Sequence, residues 1–543
     1  MNRRCVCAAM ALASGWLAGP AAAAGDAWLE AGRKAAREAS AEQVVPGPAR
    51  NVILFLGDGM GITTITAARI LEGQRRGEPG EENVLAFERF PYTALAKVYT
   101  TDDQTPESAG TMTAIVTGAK TRSALLAVDE TVRRGDFAAV AGHELATILE
   151  QAEQQGLATG IVTTTTVTHA TPAATYAHAP DRDWENDSRL PPAARAAGFP
   201  DIARQLLELP QGDGIEVVLG GGRASFRPGT AADPEYPLQK GARLDGRELT
   251  EEWRQRRPRS AYVWNREQFD AIDPAATDRL LGLFEPSHMQ FEADRPRDVA
   301  GEPSLSQMTA KAIDLLARHP GGFFLMVEGG RIDHGHHVAN AYRALGETIE
   351  FSNAVRVALE KTDPKQTLLV VTADHGHVFT FGGYPKRGND ILGKVVQSED
   401  HKGEQTGQPA LDATGRPYTT LGYQNGPGYT GASAEQPEGP KHFPHRGGGY
   451  RPATKGRPDL GPVDTAAPSY LQESTVPLTG ETHSGEDVPV YAIGPGAQLF
   501  RGVREQSYLY HAMVEALGWA SKARSEPKAS GVQSNRPKAS GVH

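Results

Sequence analysis

The sequence predicts an α/β fold: a large, mostly parallel central sheet flanked by helices on both faces, with a Gly/Pro-rich accessory insertion. Three observations predict it. Apolar runs of strand length recur without polar alternation, helical patterns separate several of them, and several runs end in an acid or a histidine. Strands buried on both faces read as continuous apolar runs, and parallel neighbours need crossovers that helices usually supply.

In chain order, "DAWLEAGRKAAREASAE" (26–42) reads as a short amphipathic helix. "NVILFLGDG" (51–59) is a buried strand and a glycine turn, with a helix from about Met60. Further strands are "ATGIVTTTT" (158–166), "IEVVLGGG" (215–222), "GFFLMVEGG" (322–330), "TLLVVTADHG" (367–376) and "VPVYAIGPG" (488–496). "HELATILEQAEQQG" and "AYRALGETIEFSNAVRVALEK" are helical in period. From Gly382 to about Pro477 Gly, Pro, Lys and polar residues dominate, which predicts an insertion (386–475) with little core of its own. The tail repeats "PKASGV" and is expected to be disordered over 521–543. Residues 25–520 are then one catalytic unit.

The start pairs Arg3 and Arg4 with an apolar run and small residues ending near Ala24. This predicts a secretory signal peptide over 1–24 and a periplasmic or secreted protein; the paired arginines also allow a twin-arginine route. Both cysteines, Cys5 and Cys7, fall in this leader, so the mature chain is expected to have neither thiol nor disulfide. No cysteine marks a lipoprotein cleavage point, and the polar C-terminus argues against a lipid anchor. Loss of the two leader arginines takes the net charge from −10 to −12. An acidic surface without a basic cluster argues against nucleic acid as a partner.

Asp58 follows "ILFLG", Glu328 follows "FFLMV", and Asp374 and His375 follow "LLVVTA". Ligands of open α/β sheets bind beyond the carboxyl ends of the strands. Acids gathered there repel one another, and divalent cations resolve the repulsion. In "EGGRIDHGHHVANAYRAL", Asp333 and His337 stand four apart and would share a helix face toward one metal, with His334 and His336 off that face. His483, in a polar loop before a strand, offers a further ligand. In "TTDDQTPESAGTMTAIVTGAK", Ser108 follows a helix start: Thr105 can cap, Pro106 suits the first helical position and Glu107 suits the dipole. Such a start would present backbone N–H groups to an anion at Ser108.

Taken together, "FLGDGMG", "PESAGTMTAIVTGAK", "TTTTVTHATPAATYAHAPDR", "VEGGRIDHGHH", "VTADHGHVFTFGGYP" and "ETHSGEDVPVYA" resemble successive motifs of the alkaline phosphatase family. They stand in the family's order and span nearly all of 50–515, outside a divergent stretch of about 390–470. "DPEYP", "ARLDG", "YVWNR" and "GLFEP" bring the resemblance closer to the animal-type branch. The resemblance implies metal-dependent hydrolysis of a broad range of phosphate monoesters, with an alkaline optimum and a phosphoserine intermediate on Ser108.

It implies one zinc held by Asp333, His337 and His483 and another by Asp58, Asp374 and His375 with the Ser108 oxygen. It implies magnesium at Asp58, Thr171 and Glu328 with His169 in its outer shell, and a phosphate clamp at Arg182. It also implies a structural calcium at Glu235, Glu285, the carbonyl of Phe284 and Glu302, the last across a two-residue insertion. These types suit the chemistry. A serine hydroxyl with no histidine base needs a metal to become nucleophilic, magnesium takes oxygen ligands, and arginine can grip two phosphate oxygens. Formal charges leave such a pocket cationic, reversing the acidic surface locally.

The N-terminal helix matches a family segment that helps dimers form, so a homodimer is expected, and the insertion corresponds to a crown-like element of different length and composition. A phosphodiesterase or sulfatase on the same metal core is the alternative enzyme. A non-catalytic scaffold would be expected to have lost Ser108 or a ligand, and none is missing. The family usually has Asp where this chain has Glu107, so Arg182 is expected to be held differently, affecting phosphate affinity more than mechanism.

Overall fold

The computed structural model describes residues 24–399, 403 and 407–519. The leader expected over 1–24, both cysteines and the tail expected over 521–543 lie outside these residues, Ala24 excepted. The N-terminal unit is helix α1 (Ala24–Ala41), close to the expected 26–42; Glu30 pairs with Arg37 across two of its turns.

From Val44 onward the chain builds a ten-stranded sheet. Its strands are β1 (Asn51–Gly57), β2 (Tyr92–Lys97), β3 (Ala158–Thr166), β4 (Val217–Gly221), β5 (Ser260–Val263), β6 (Arg279–Leu283), β7 (Phe323–Glu328), β8 (Thr367–Ala373), β9 (Val488–Ile493) and β10 (Gly502–Glu505). They lie side by side in the order β10-β2-β9-β8-β1-β7-β3-β4-β6-β5. β9 runs antiparallel to β8 and β2, and every other adjacent pair is parallel. The centre is registered by pairs such as Leu54 with Met326 and with Val370. β3, β7 and β8 are buried along their whole length, which is why their sequences carry no polar alternation.

Helices α2 (Ile62–Arg75), α3 (Ser108–Thr117), α4 (Leu305–Leu316), α5 (Arg331–His337) and α6 (Ala341–Lys361) bear on the site. α6 packs against α2, α4 and α5, and α4 also rests on β3. Side-chain caps set several starts: Ser304 and Gln307 form a capping box on α4, and Asn340 caps α6. α2 begins at Ile62 instead of the expected Met60, because residues 57–61 form a tight turn in which Gly59 has φ +69°. A Cβ at Gly59 would also overlap the His377 ring, so the turn beside Asp58 requires glycine.

A second correction concerns the start of α3. Thr105 and Pro106 lie outside the helix and Glu107 is its cap, its carboxylate accepting from the N–H groups of Ala109 (3.0 Å) and Gly110 (2.7 Å). In the stretch expected to have little core, Leu421–Gly426 and Ser474–Pro477 form a small sheet with Phe379–Phe381, which precedes it, and Lys441–His442 pairs with Tyr470–Leu471. Buried Lys441 donates to the carbonyls of Pro437 and Gly439, while Ile391, Leu392, Leu421 and Tyr423 join the main core.

Candidate active site and metal centres

Four adjacent central strands, β8, β1, β7 and β3, deliver polar side chains to one edge of the sheet. Asp374 and His375 follow β8, Asp58 follows β1, Glu328 ends β7, and His169 and Thr171 follow β3 at a short helical turn, Ala170–Ala173. Asp58, Thr171, Glu328, Asp374 and His375 are fully buried. Helix α5 brings Asp333 and His337 to the same place, and His483 arrives from the loop before β9.

Asp58, Asp374 and His375 converge on one point. His375 Nε2 lies 3.1 Å from Asp374 Oδ2, 3.5 Å from Asp58 Oδ1 and 3.3 Å from Ser108 Oγ. The Gly59 N–H donates to Asp374 Oδ1 at 3.0 Å. Burial works against the Asp374 charge, yet His375 and this N–H hold its pKa down at about 2. Burial, and then the charges of Asp374, Asp333 and Glu328, push Asp58 far up.

Around Asp333 Oδ1 stand His337 Nε2 at 3.2 Å, His483 Nε2 at 3.3 Å and His377 Nε2 at 2.8 Å. The two ligand-candidate imidazoles are anchored through their other nitrogens. His337 Nδ1 donates to the Glu481 carbonyl (2.6 Å) and His483 Nδ1 to the Pro106 carbonyl (2.8 Å). Their Nε2 atoms therefore carry lone pairs, and these face each other at 3.1 Å beside a carboxylate. Two lone pairs and an anion at that spacing repel one another, and a cation between them removes the repulsion.

Beside Asp58, Glu328 Oε2 accepts from Thr163 and Thr165. Its Oε1, both Asp58 oxygens, Thr171 Oγ1 and His169 Nδ1 are buried without a hydrogen-bond partner. Burial raises the Glu328 pKa to about 7, with the Thr163 hydrogen bond opposing it. Buried orphan oxygens of this kind carry a large desolvation cost, which an oxygen-liking cation offsets.

Arg182 is fixed at both ends, Nη1 on Glu107 (2.6 Å) and Nη2 on His169 Nε2 (3.0 Å). Glu107 also accepts from the Ala124 N–H at 2.7 Å, so one carboxylate serves the helix cap, a neighbouring loop and the arginine. Two of the amides expected to face an anion at Ser108 are thus taken by Glu107.

Away from this edge, Glu235, Glu285 and Asp298 bring oxygens within 4.8 Å of one another. Phe284, immediately before Glu285, is buried. Glu302 is beside them, its Oε1 accepting from the Gln290 N–H (2.9 Å) and its Oε2 buried and unpartnered, as are both oxygens of Asp298, which joins the cluster. Burial and the neighbouring acids raise Glu285 to about 7 and Glu302 to about 9.

The alkaline phosphatase family model matches residues 49–519. The chain belongs to the alkaline phosphatase family. The tissue-nonspecific alkaline phosphatase of Gallus gallus is 46% identical over 475 residues, covering 86% of this chain and 84% of that one. The corresponding isozyme of Homo sapiens is 44% identical over 475 residues, covering 86% and 83%. The solved structure of Thermus thermophilus alkaline phosphatase superposes with a TM-score of 0.59 at 25% identity, over 88% of this chain and 92% of that one.

Four site residues escape a reading of the sequence. His377 stands two positions after His375 in "DHGH" and draws no reading of its own. Glu481 precedes His483 by two positions and gives no signal of its own. Asp298 sits in an irregular loop, and His288 packs edge-on against His169 (5.4 Å between centroids) and His334 (4.5 Å). His336 is also buried, bonded to Thr64 and Tyr423.

Proposed function

We propose that this chain hydrolyses phosphate monoesters to alcohol and inorganic phosphate through a phosphoserine intermediate on Ser108, at alkaline pH and with broad substrate range. The observation that carries this is the convergence of two anchored imidazole lone pairs with Asp333, next to a serine that faces a separate Asp-Asp-His cluster. Asp333, His337 and His483 would hold one zinc, and Asp58, Asp374 and His375 the other. Asp58, Thr171 and Glu328 would hold magnesium, with His169 outside it. When bound, these ions supply the positive charge that makes a serine hydroxyl nucleophilic and steadies the charge of an in-line displacement.

The protein groups do the rest. The Ser108 oxygen forms the bond to phosphorus as the bond to the alcohol breaks, the alcohol departs with a proton, and water then splits the phosphoserine to serine and phosphate. The His375 nitrogen nearest Ser108 also faces Asp374 and Asp58, which places it with the ligands of that cluster. Arg182, held by Glu107 and His169, keeps one N–H on each terminal nitrogen for phosphate oxygens. The Glu107 grip explains why phosphate affinity, more than the mechanism, should answer to this residue.

Calcium at Glu235, Glu285, the Phe284 carbonyl and Glu302, with Asp298 beside them and supported by oxygen-only donors, belongs to the same proposal, as does a homodimer. The leader motif supports a periplasmic or secreted protein, and among the described residues no helix is long and apolar enough to cross a membrane. Phosphodiesterase or sulfatase activity on the same core is not favoured by the family match. The test is trapping of labelled phosphate. Wild type quenched in acid should carry one phosphoserine and Ser108→Ala none; label persisting in the variant overturns the assignment.

A further inference from the structure

Glu481 has no place among the ligands above, yet it contacts both His337 and His377 beside Asp333. It is buried, two residues before His483. Its main chain clasps His337 on both sides: its N–H donates to the His337 carbonyl at 2.9 Å, and its carbonyl accepts from His337 Nδ1 at 2.6 Å. Its carboxylate reaches the other way. Oε1 accepts from the Val378 N–H at 2.8 Å, and Oε2 accepts from His377 Nδ1.

His377 passes the contact on. Its Nε2 lies 2.8 Å from Asp333 Oδ1, so the ring bridges the Glu481 and Asp333 carboxylates. Its ring is pinned by stacking on His336 (4.7 Å between centroids), which is itself held by Thr64 and Tyr423.

We propose that Glu481 is the positioning residue of this metal site: through His377 it orients Asp333, and through its backbone it holds His337, so the ligands are set before a cation arrives. This rests on the reading that Asp333, His337 and His483 hold zinc. Ligand-orienting partners of this kind are worth about 10- to 100-fold in metal affinity. The Glu481→Gln change keeps shape and backbone contacts while removing the carboxylate that His377 needs.

The experiment follows zinc release from the loaded, full-length protein to a chromogenic chelator, and melting of the zinc-loaded and stripped forms. Wild type, Glu481→Gln, His377→Gln, the double variant and a His337→Asn control are compared. Release from Glu481→Gln should be roughly 10- to 100-fold faster than from wild type. The gap between loaded and stripped melting temperatures should shrink while the stripped form melts nearly unchanged. The double variant should release zinc no more than about twice as fast as the faster single variant, because both act on one chain of contacts. Release within about twofold of wild type, or equal melting losses in both forms, overturns the proposal while leaving the zinc reading intact. Should Glu481→Gln fail to fold, His377→Gln decides by the same two readings. If His337→Asn releases zinc like wild type, the zinc reading itself fails.

Discussion

The strand-end site and the loop cluster at Glu235 both crowd carboxylates, and they differ in what shares the space. At the strand ends, imidazoles anchored on backbone carbonyls meet Asp333, Asp374 and Asp58 on the most buried part of the sheet. In the loops, Glu235, Glu285 and Asp298 meet Arg223, Tyr236 and Gln290, with no imidazole in the group. Mixed nitrogen and oxygen donors suit zinc, whereas oxygen alone suits calcium or magnesium. The scaffold differs too: strand ends and helix α5 fix most of the first set, whereas three separate loops supply Glu235, Glu285 and Asp298. Chemistry needs fixed geometry, while a stabilising ion needs only charge and oxygen atoms.

The comparison is broken most strongly at the strand ends. Asp333→Asn should lower monoester turnover by on the order of 10²–10³ or more and remove one zinc, leaving any calcium-dependent gain in melting temperature intact. Turnover and metal content together check it. Arg182→Lys comes next. Losing a paired grip should weaken phosphate inhibition about 10- to 100-fold, with a smaller loss of turnover at saturating substrate. Glu107→Asp, which keeps the charge and shortens the reach, should shift the same inhibition constant by less; no change in that constant or in turnover would detach Glu107 from phosphate binding.

At the loop cluster, Asp298→Asn should shrink the melting increment that calcium gives by a few degrees, with turnover at saturating zinc unaltered. An increment that instead responds to Glu302→Gln alone would make Glu302, and not Asp298, the ligand.

The smallest effect concerns pH. Burial lifts the Glu347 carboxyl on α6 to about 8. Its folded pKa lies above its unfolded one, so the folded state binds the extra proton between about pH 4.5 and 8, and stability falls as pH rises through that window. Glu347→Gln should flatten the fall in melting temperature between pH 5 and 8 without changing which metals bind. An unchanged slope would show that Glu347 is not protonated in the fold.

Much of this was legible. Continuous apolar runs located β1, β3, β4, β7, β8 and β9, because strands buried on both faces have one reading. β2, β5, β6 and β10 stayed hidden: β2, β5 and β10 are partly exposed, so their composition resembles loop, and β6, though buried, is a five-residue run opened by Arg279. Asp58, Glu328 and Asp374 announced themselves as acids at strand ends. Glu107 was legible as the partner of Arg182 through the family resemblance, whereas only the fold reveals it as the cap of α3 with the Ala124 N–H within its reach. Glu481 and His377 act through contacts between segments about a hundred residues apart, which no local spacing encodes. Asp298 and Glu302 lie four apart in one loop, and which faces the cluster depends on the loop's path.

The central claim is that the strand-end cluster is a metal-dependent phosphomonoesterase site, and metal analysis of pure protein alongside activity tests it most directly. The account predicts two zinc ions per chain and turnover of a simple phosphomonoester that returns in step with zinc as the stripped protein is reloaded. Full turnover with less than one zinc per chain, or full zinc with no turnover, would contradict it.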